Sequence, residues 1–270
     1  MKKRILSLLL CLVLCLSLLS VTAFAATPLT ALHVGGTDLN DTALASDQSG
    51  TGWSWDAAAK KLTLNGYDGG YIEATGDLSI VLADDSENTV TVPSGVDKYG
   101  IYTTGDCTIS GSGNLSITTA KMGIASQSGD VFLDIDGELD VSTALAGIYA
   151  YNNVRISGDG KLTVSVTGST NCIQTWNEDI EISDAVDVTI ESAGAGIWAR
   201  RDLNISTSGD LNVTTGSHGI HANKITISGD GDRTFSGNGG FAVNAVNNAI
   251  NISGDGKWNI SGYRLFPCRC

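Results

Sequence analysis

The chain reads as an all-β protein: a right-handed parallel β-helix (solenoid) of about eight three-strand rungs behind an N-terminal β cap. Three observations carry this reading. A Gly-Ile pair recurs at steps of 21 to 25 residues: Gly100-Ile101, Gly123-Ile124, Gly147-Ile148, Gly196-Ile197 and Gly219-Ile220, with Cys172-Ile173 and Gly240-Phe241 filling the gaps. Inside each step fall two more apolar-polar-apolar triplets, the mark of strands with one buried face. Gly, Asp, Asn and Ser separate the triplets, as turn residues do.

In chain order, residues 1–25 come first and read as an export signal. Lys2, Lys3 and Arg4 precede an apolar stretch from Ile5 to Val21, and Ala23-Phe24-Ala25 supplies a small-x-small cleavage pattern. The apolar run is shorter than the ~20 residues that span a bilayer. Lipidation at Cys15 is disfavoured by the bulky Leu14 before it. The mature protein is therefore expected outside the membrane, secreted or at the cell surface.

Residues 26–69 are less periodic. Leu32-His33-Val34, Trp53-Ser54-Trp55 and Leu62-Thr63-Leu64 read as strands of a cap that covers the open end of the solenoid. Residues 70–263 hold the β-helix, beginning with a looser copy of the pair at Gly70-Tyr71-Ile72. The second triplet runs from Leu78-Ser79-Ile80 through Cys107-Thr108-Ile109 and Val154-Arg155-Ile156 to Ile250-Asn251-Ile252. The third runs from Leu62-Thr63-Leu64 and Val90-Thr91-Val92 through Leu139-Asp140-Val141 and Val186-Asp187-Val188 to Trp258-Asn259-Ile260, with an irregular rung near Thr234-Phe235. Hexapeptides of a left-handed helix and nonapeptides of a calcium roll are absent. Residues 264–270 form an irregular tail, read either as a truncation of a longer surface protein or as a last rung covered by a partner.

Charge narrows the partners. Sixteen basic residues face 29 acids, and the leader holds three of the basic ones, so the mature chain carries a net charge near −16. Nucleic acid and anionic lipid would be repelled. A polyanionic glycan would call for a bridging cation. Four cysteines remain after cleavage: Cys107 and Cys172 in strand slots read as buried thiols, and Cys268-x-Cys270 lacks a second pair with zinc spacing.

The segments Val34-Gly35-Gly36, Trp53-Ser54-Trp55-Asp56-Ala57-Ala58, Leu62-Thr63-Leu64-Asn65-Gly66-Tyr67 and Gly76-Asp77-Leu78-Ser79-Ile80-Val81-Leu82 form a module. It resembles secreted parallel β-helix proteins of clostridia and related gut bacteria, and the likeness covers residues 32 to about 260. What the resemblance implies is carbohydrate binding, with cellulose and polygalacturonate as ligands and calcium in the structure. It transfers no catalytic signature.

Period-two alternation turns every second side chain outward. In the first strand the outward column reads Tyr102, Ala125, Tyr149, Gln174, Trp198, His221. Its companion, two positions on, reads Thr104, Gln127, Tyr151, Trp176, Arg200, Asn223, Asn244. Flat rings with polar edges suit the C–H faces of sugars. Tyr149, Tyr151, Trp176, Trp198, Arg200 and His221 would span about 14 Å at rung spacing, room for roughly three sugar units. With Tyr102 and Asn223 they form the candidate ligand-binding face, where Arg200 can meet a uronate carboxylate. The competing reading is a structural aromatic ladder.

A second column, Asp136, Asp159 and Asp184, lies in the turn between the second and third strands. Carboxylates one rung apart can share a hard cation, so calcium is the candidate cofactor. Asp is also an ordinary turn residue.

Catalysis as a polysaccharide lyase or hydrolase is the weaker alternative. A hydrolase needs two carboxylates across the scissile bond, and the aromatic face offers none. Two non-enzyme classes remain: a carbohydrate-binding protein acting on an extracellular plant or cell-wall polysaccharide, and a structural or adhesive surface solenoid.

Overall fold

A computed structural model describes residues 26–246, 250–262 and 265–267. The expected export signal lies outside the described residues, as does most of the tail expected at 264–270. Within them the fold is all-β apart from one helical turn, Asp41–Leu44, capped by the Asn40 side chain, which accepts the Ala43 N–H at 3.1 Å. No helix among the described residues is long and apolar enough to cross a membrane.

Three sheets run along the molecule, of 11, 11 and 9 strands. From Ile72 onward, each rung gives one strand to each sheet and pairs in parallel with the next rung. The first sheet aligns Ile72, Ile101, Ile124, Ile148, Ile173, Ile197, Ile220 and Val243 on the inside, about eight rungs in all. Inward Leu, Ile and Val from all three sheets make one continuous core. Each such side chain is worth ~2 kcal/mol of burial, multiplied over every slot.

The glycine of the Gly-Ile pair has a steric cause. A Cβ on Gly123 would stand 2.3 Å from Val141 Cγ1 and 2.6 Å from the Gly147 carbonyl oxygen. The corner is pressed against the third sheet, and Gly100 and Gly147 meet the same wall.

The N-terminal segment closes one end with antiparallel pairing. Ala31–Val34 pairs with Thr37–Asn40 and with Ile72–Thr75, and Trp53–Asp56 pairs with Gln48–Gly50 and Lys61–Leu64. Trp53, Trp55 and Tyr67 are buried here. The Trp55 indole N–H donates to the Leu44 carbonyl at 3.0 Å, and the Tyr67 hydroxyl donates to the Gly70 carbonyl at 2.8 Å. Burial, then the Asp68 charge, pushes the Tyr67 phenol up to about 12.

Four expectations of register are corrected. Leu62-Thr63-Leu64 belongs to the second sheet, aligned with Ile80-Val81-Leu82, because it is the last strand of the antiparallel cap. The third-sheet rung expected at Val90-Thr91-Val92 begins two residues earlier, with Asn88 opposite Leu115. Buried Asn88 tolerates that slot because it accepts the Tyr67 N–H at 3.0 Å and donates to Ser86 Oγ and the Asn114 carbonyl. The rung expected at Val186-Asp187-Val188 is Val188-Thr189-Ile190. The eighth Gly-Ile slot is filled by Ala242-Val243 rather than Gly240-Phe241, so Asn244 lies beside His221 in the first outward column instead of in the companion column.

The rung expected to be irregular keeps its register. Arg233 takes the core slot opposite Leu211, with Phe235 opposite Val213. Arg233 is only 1% exposed; its guanidinium donates to the carbonyls of Gly209 and Thr207 at 2.6 Å each, to Asp232 at 3.2 Å and to Ser228 at 3.4 Å. Its Nε has no hydrogen-bond partner. Burial lowers its pKa, against the opposing charges of Asp210, Asp232 and Asp230.

Candidate functional site

The first sheet presents the aromatic face in the expected order. Tyr102, Ala125, Tyr149, Gln174, Trp198 and His221 occupy successive rungs of one outward column. Tyr151, Trp176, Arg200 and Asn223 follow two residues later, in the bends beyond the strand ends and past the short inward residue of each corner.

These residues fall into two sets. Trp198 and His221 stack with ring centroids 3.9 Å apart and planes 17° apart. Asn244 Nδ2 lies 3.0 Å from His221 Nδ1, and burial, then His218, lowers the His221 pKa. The two rings pack on each other across one rung, and Trp198 also lines the groove beside Trp176. Tyr102 is also engaged: its hydroxyl donates to Gln127 Oε1 at 2.6 Å, and its ring tilts against Tyr99 at 5.3 Å.

Tyr149, Tyr151 and Trp176 stack on no other ring among the described residues. Trp176 is 59% exposed, the most open large apolar side chain described, and Tyr151 is 38% exposed. Beside Trp176 a groove of about 470 Å³ is lined by Asn171, Gln174, Asn177, Trp198 and Arg200. Asn171 Nδ2 donates to Gln174 Oε1 at 2.9 Å and holds that amide to the side. The Arg200 backbone is fixed by its N–H to Thr175 Oγ1 at 3.1 Å, while no carboxylate among the described residues pairs with its guanidinium. Its neighbour Arg201 pairs with Glu178, and Arg155 lies between Asp130 and Glu181 at 3.5 and 3.6 Å.

The expected Asp column does not assemble. Asp136 and Asp159 are in line, and Asp136 Oδ1 accepts the Asp159 N–H at 3.3 Å. Asp184 stands beside Gly158 instead, one position out of step, with a φ of 61° and Oδ2 3.5 Å from the Gly158 N–H. The two turns have the same length, but Asp184 comes two residues after Ile182 whereas Asp159 comes three after Ile156, so Ala185 occupies the place beside Asp159. Among the described residues no group of three or more His, Cys, Asp or Glu is placed to hold a metal. These carboxylates do not fit a shared calcium.

The carboxylates do something else, which the sequence reading missed. At the corner before each second-sheet strand, Asp77 Oδ1 accepts the Asp106 N–H and Asp106 Oδ1 accepts the Asp130 N–H, both at 2.8 Å. Asp130 Oδ1 accepts from Asn153 at 2.9 Å, Asn153 Oδ1 from Asp179 at 3.2 Å, and Asp179 Oδ1 from Asp202 at 2.9 Å. A second ladder precedes the third sheet: Asp187 to Asp210, Asp210 to Asp232 and Asp232 to Lys257, at 2.7, 2.8 and 2.9 Å. Each acid caps a backbone N–H of the next rung, so much of the acidity is architectural. Asp187, expected on the outward face of the third strand, belongs to this ladder. The residue before each Gly-Ile pair was also missed. It brings Tyr99, Asn171 and His218 to the edge of the aromatic face, a column visible by reading one position upstream of the glycine.

Cys107 and Cys172 are buried free thiols, both pushed up to about 12, chiefly by burial. The fold and face define a parallel β-solenoid with one partly open aromatic side. Compared with known proteins, the chain matches no family model, no curated protein and no solved structure.

Proposed function

We propose that the chain is a secreted, non-catalytic carbohydrate-binding protein that recognises an extracellular polysaccharide through the first-sheet face. The observation that carries this is the groove at Trp176: an open indole beside Arg200, a cation with no carboxylate paired to it in an otherwise acidic chain. An indole stacks on a sugar face, and a guanidinium takes a uronate or other anionic substituent. The resemblance to secreted clostridial β-helix proteins, which rests on the motifs quoted above, points the same way. No carboxylate lines the groove, which favours binding over hydrolysis.

The test is retention of residues 26–270 on a glycan panel including polygalacturonate and cellulose, in calcium and in EDTA, with Trp176→Ala alongside. Selective retention that Trp176→Ala abolishes is expected. Retention unchanged by that substitution would refute the face, and silence from a folded sample would favour the second reading, a structural or adhesive surface solenoid. That reading is supported by the carboxylate ladders, which build length without a ligand.

A further inference from the structure

Resting on the glycan reading, we propose that the first sheet carries one continuous ligand track along the solenoid axis, with a second subsite formed by Tyr99, Tyr102, Tyr149 and Tyr151. Tyr102, Ala125, Tyr149, Gln174 and Trp198 share one column, one residue per rung. At ~4.8 Å per rung, Tyr102 and Trp198 stand about 19 Å apart, the reach of about four sugar units. Nothing tall interrupts the column: Ala125 is small and buried, and Gln174 is tied sideways to Asn171.

The tyrosine end is a real cluster. Tyr99 leans in from the corner to 5.3 Å from Tyr102. Tyr149 stands two rungs along the same column, with only the small Ala125 between, and Tyr151 follows it past the inward Ala150. On the Tyr99–Tyr102 side a groove of about 260 Å³ opens, lined by Tyr71, Glu73, Asp97, Lys98, Tyr99 and Tyr102.

The two ends differ in charge. Lys98 is paired with Glu73, and Lys121 with Asp97 at 2.5 Å, so the cations of the tyrosine end are neutralised. Arg200 at the far end is not. The track therefore suits a chain whose anionic group sits at Arg200 while uncharged sugar faces stack along the tyrosines. Two linked subsites on one ligand raise affinity with chain length, which a single groove would not do.

The experiment titrates the full mature chain with dimers, tetramers and hexamers of galacturonic acid and of cellulose. Affinity is expected to rise by about tenfold or more from dimer to tetramer, as linked subsites do. The double variant Tyr102→Ala, Tyr149→Ala should erase that rise and leave the dimer unchanged, whereas Trp176→Ala should weaken every length. Tyr102→Phe with Tyr149→Phe keeps the ring planes and should keep the rise, which separates stacking from misfolding. Equal affinity for dimer and tetramer, or tyrosine variants indistinguishable from the parent at every length, overturns the track and leaves the Trp176 groove standing. Retention of no oligomer overturns the glycan reading itself, and the track with it.

Discussion

At the corners before the second sheet, Asp77, Asp106, Asp130, Asn153 and Asp179 stand in a column, and each side chain caps the backbone of the rung that follows. On the first-sheet face, Tyr151 and Trp176 also stand on successive rungs, yet their rings are exposed and stack on no other ring among the described residues. The same repeat thus builds two kinds of ladder. Where polar atoms meet the next rung, regularity is explained by folding alone. Where an open indole adjoins a guanidinium with no carboxylate paired to it, folding gives no reason for the residues, and the proposed glycan would supply one. Within the aromatic column the contrast recurs: Trp198 and His221 spend their faces on each other, while Trp176 one rung earlier does not.

Substitutions can break or sharpen this contrast. The largest effect on stability is expected at Arg233, whose guanidinium satisfies carbonyls of two rungs from a core slot. Arg233→Ala leaves those carbonyls orphaned around a cavity and should cost about 3 kcal/mol in denaturant unfolding. Trp176→Ala should do the reverse: glycan affinity falls by about tenfold or more, as for aromatic hot spots, while the unfolding midpoint barely moves. Asp130→Ala removes the acceptor for the Asn153 backbone and side-chain N–H groups, and should cost about 1–2 kcal/mol with no change in glycan binding.

A smaller effect is expected at Asp106, whose pKa is raised, first by burial and then by Asp77 and Asp130 against the pull of the Asp130 N–H and Arg155. A carboxyl with a raised folded pKa binds its proton more readily folded than unfolded. Its ionisation therefore weakens the fold above that pKa, and stability returns as pH falls through it. Asp106→Asn keeps the acceptor, as Asn153 does naturally two rungs on, and should raise the melting temperature slightly at neutral pH while flattening its rise just above the ordinary carboxylate range. Smallest of all, Cys107 and Cys172 should resist iodoacetamide in the native chain and label only in denaturant, read by peptide mass mapping.

Much of this was legible in the residues. Apolar-polar-apolar triplets and the Gly-Ile period gave the rungs, because inward slots repeat with the coil. The register slipped at Asn88 and Arg233, where polar side chains take apolar slots, near Val188, where the buried Val186 of the turn mimics a strand slot, and near Val243, where a turn is one residue longer. In the first two cases the compensating hydrogen bonds come from other rungs, which no local pattern records. The outward aromatic column was legible from alternation, but its division into stacked and open members was not, since ring orientation depends on neighbours one rung away. The Asp column failed because Asp184 falls one position earlier in a turn of the same length, which puts it beside Gly158 instead of Asp159.

The most direct test of the open aromatic face is tryptophan emission during glycan titration, with parent and Trp176→Ala in parallel. Trp53 and Trp55 are buried in the cap, so a ligand on the face should report through Trp176 and its neighbour Trp198. A saturable emission change in the parent that disappears in Trp176→Ala is the expected result. An equal change in both proteins, or binding by other means with no emission change in the parent, would contradict the account.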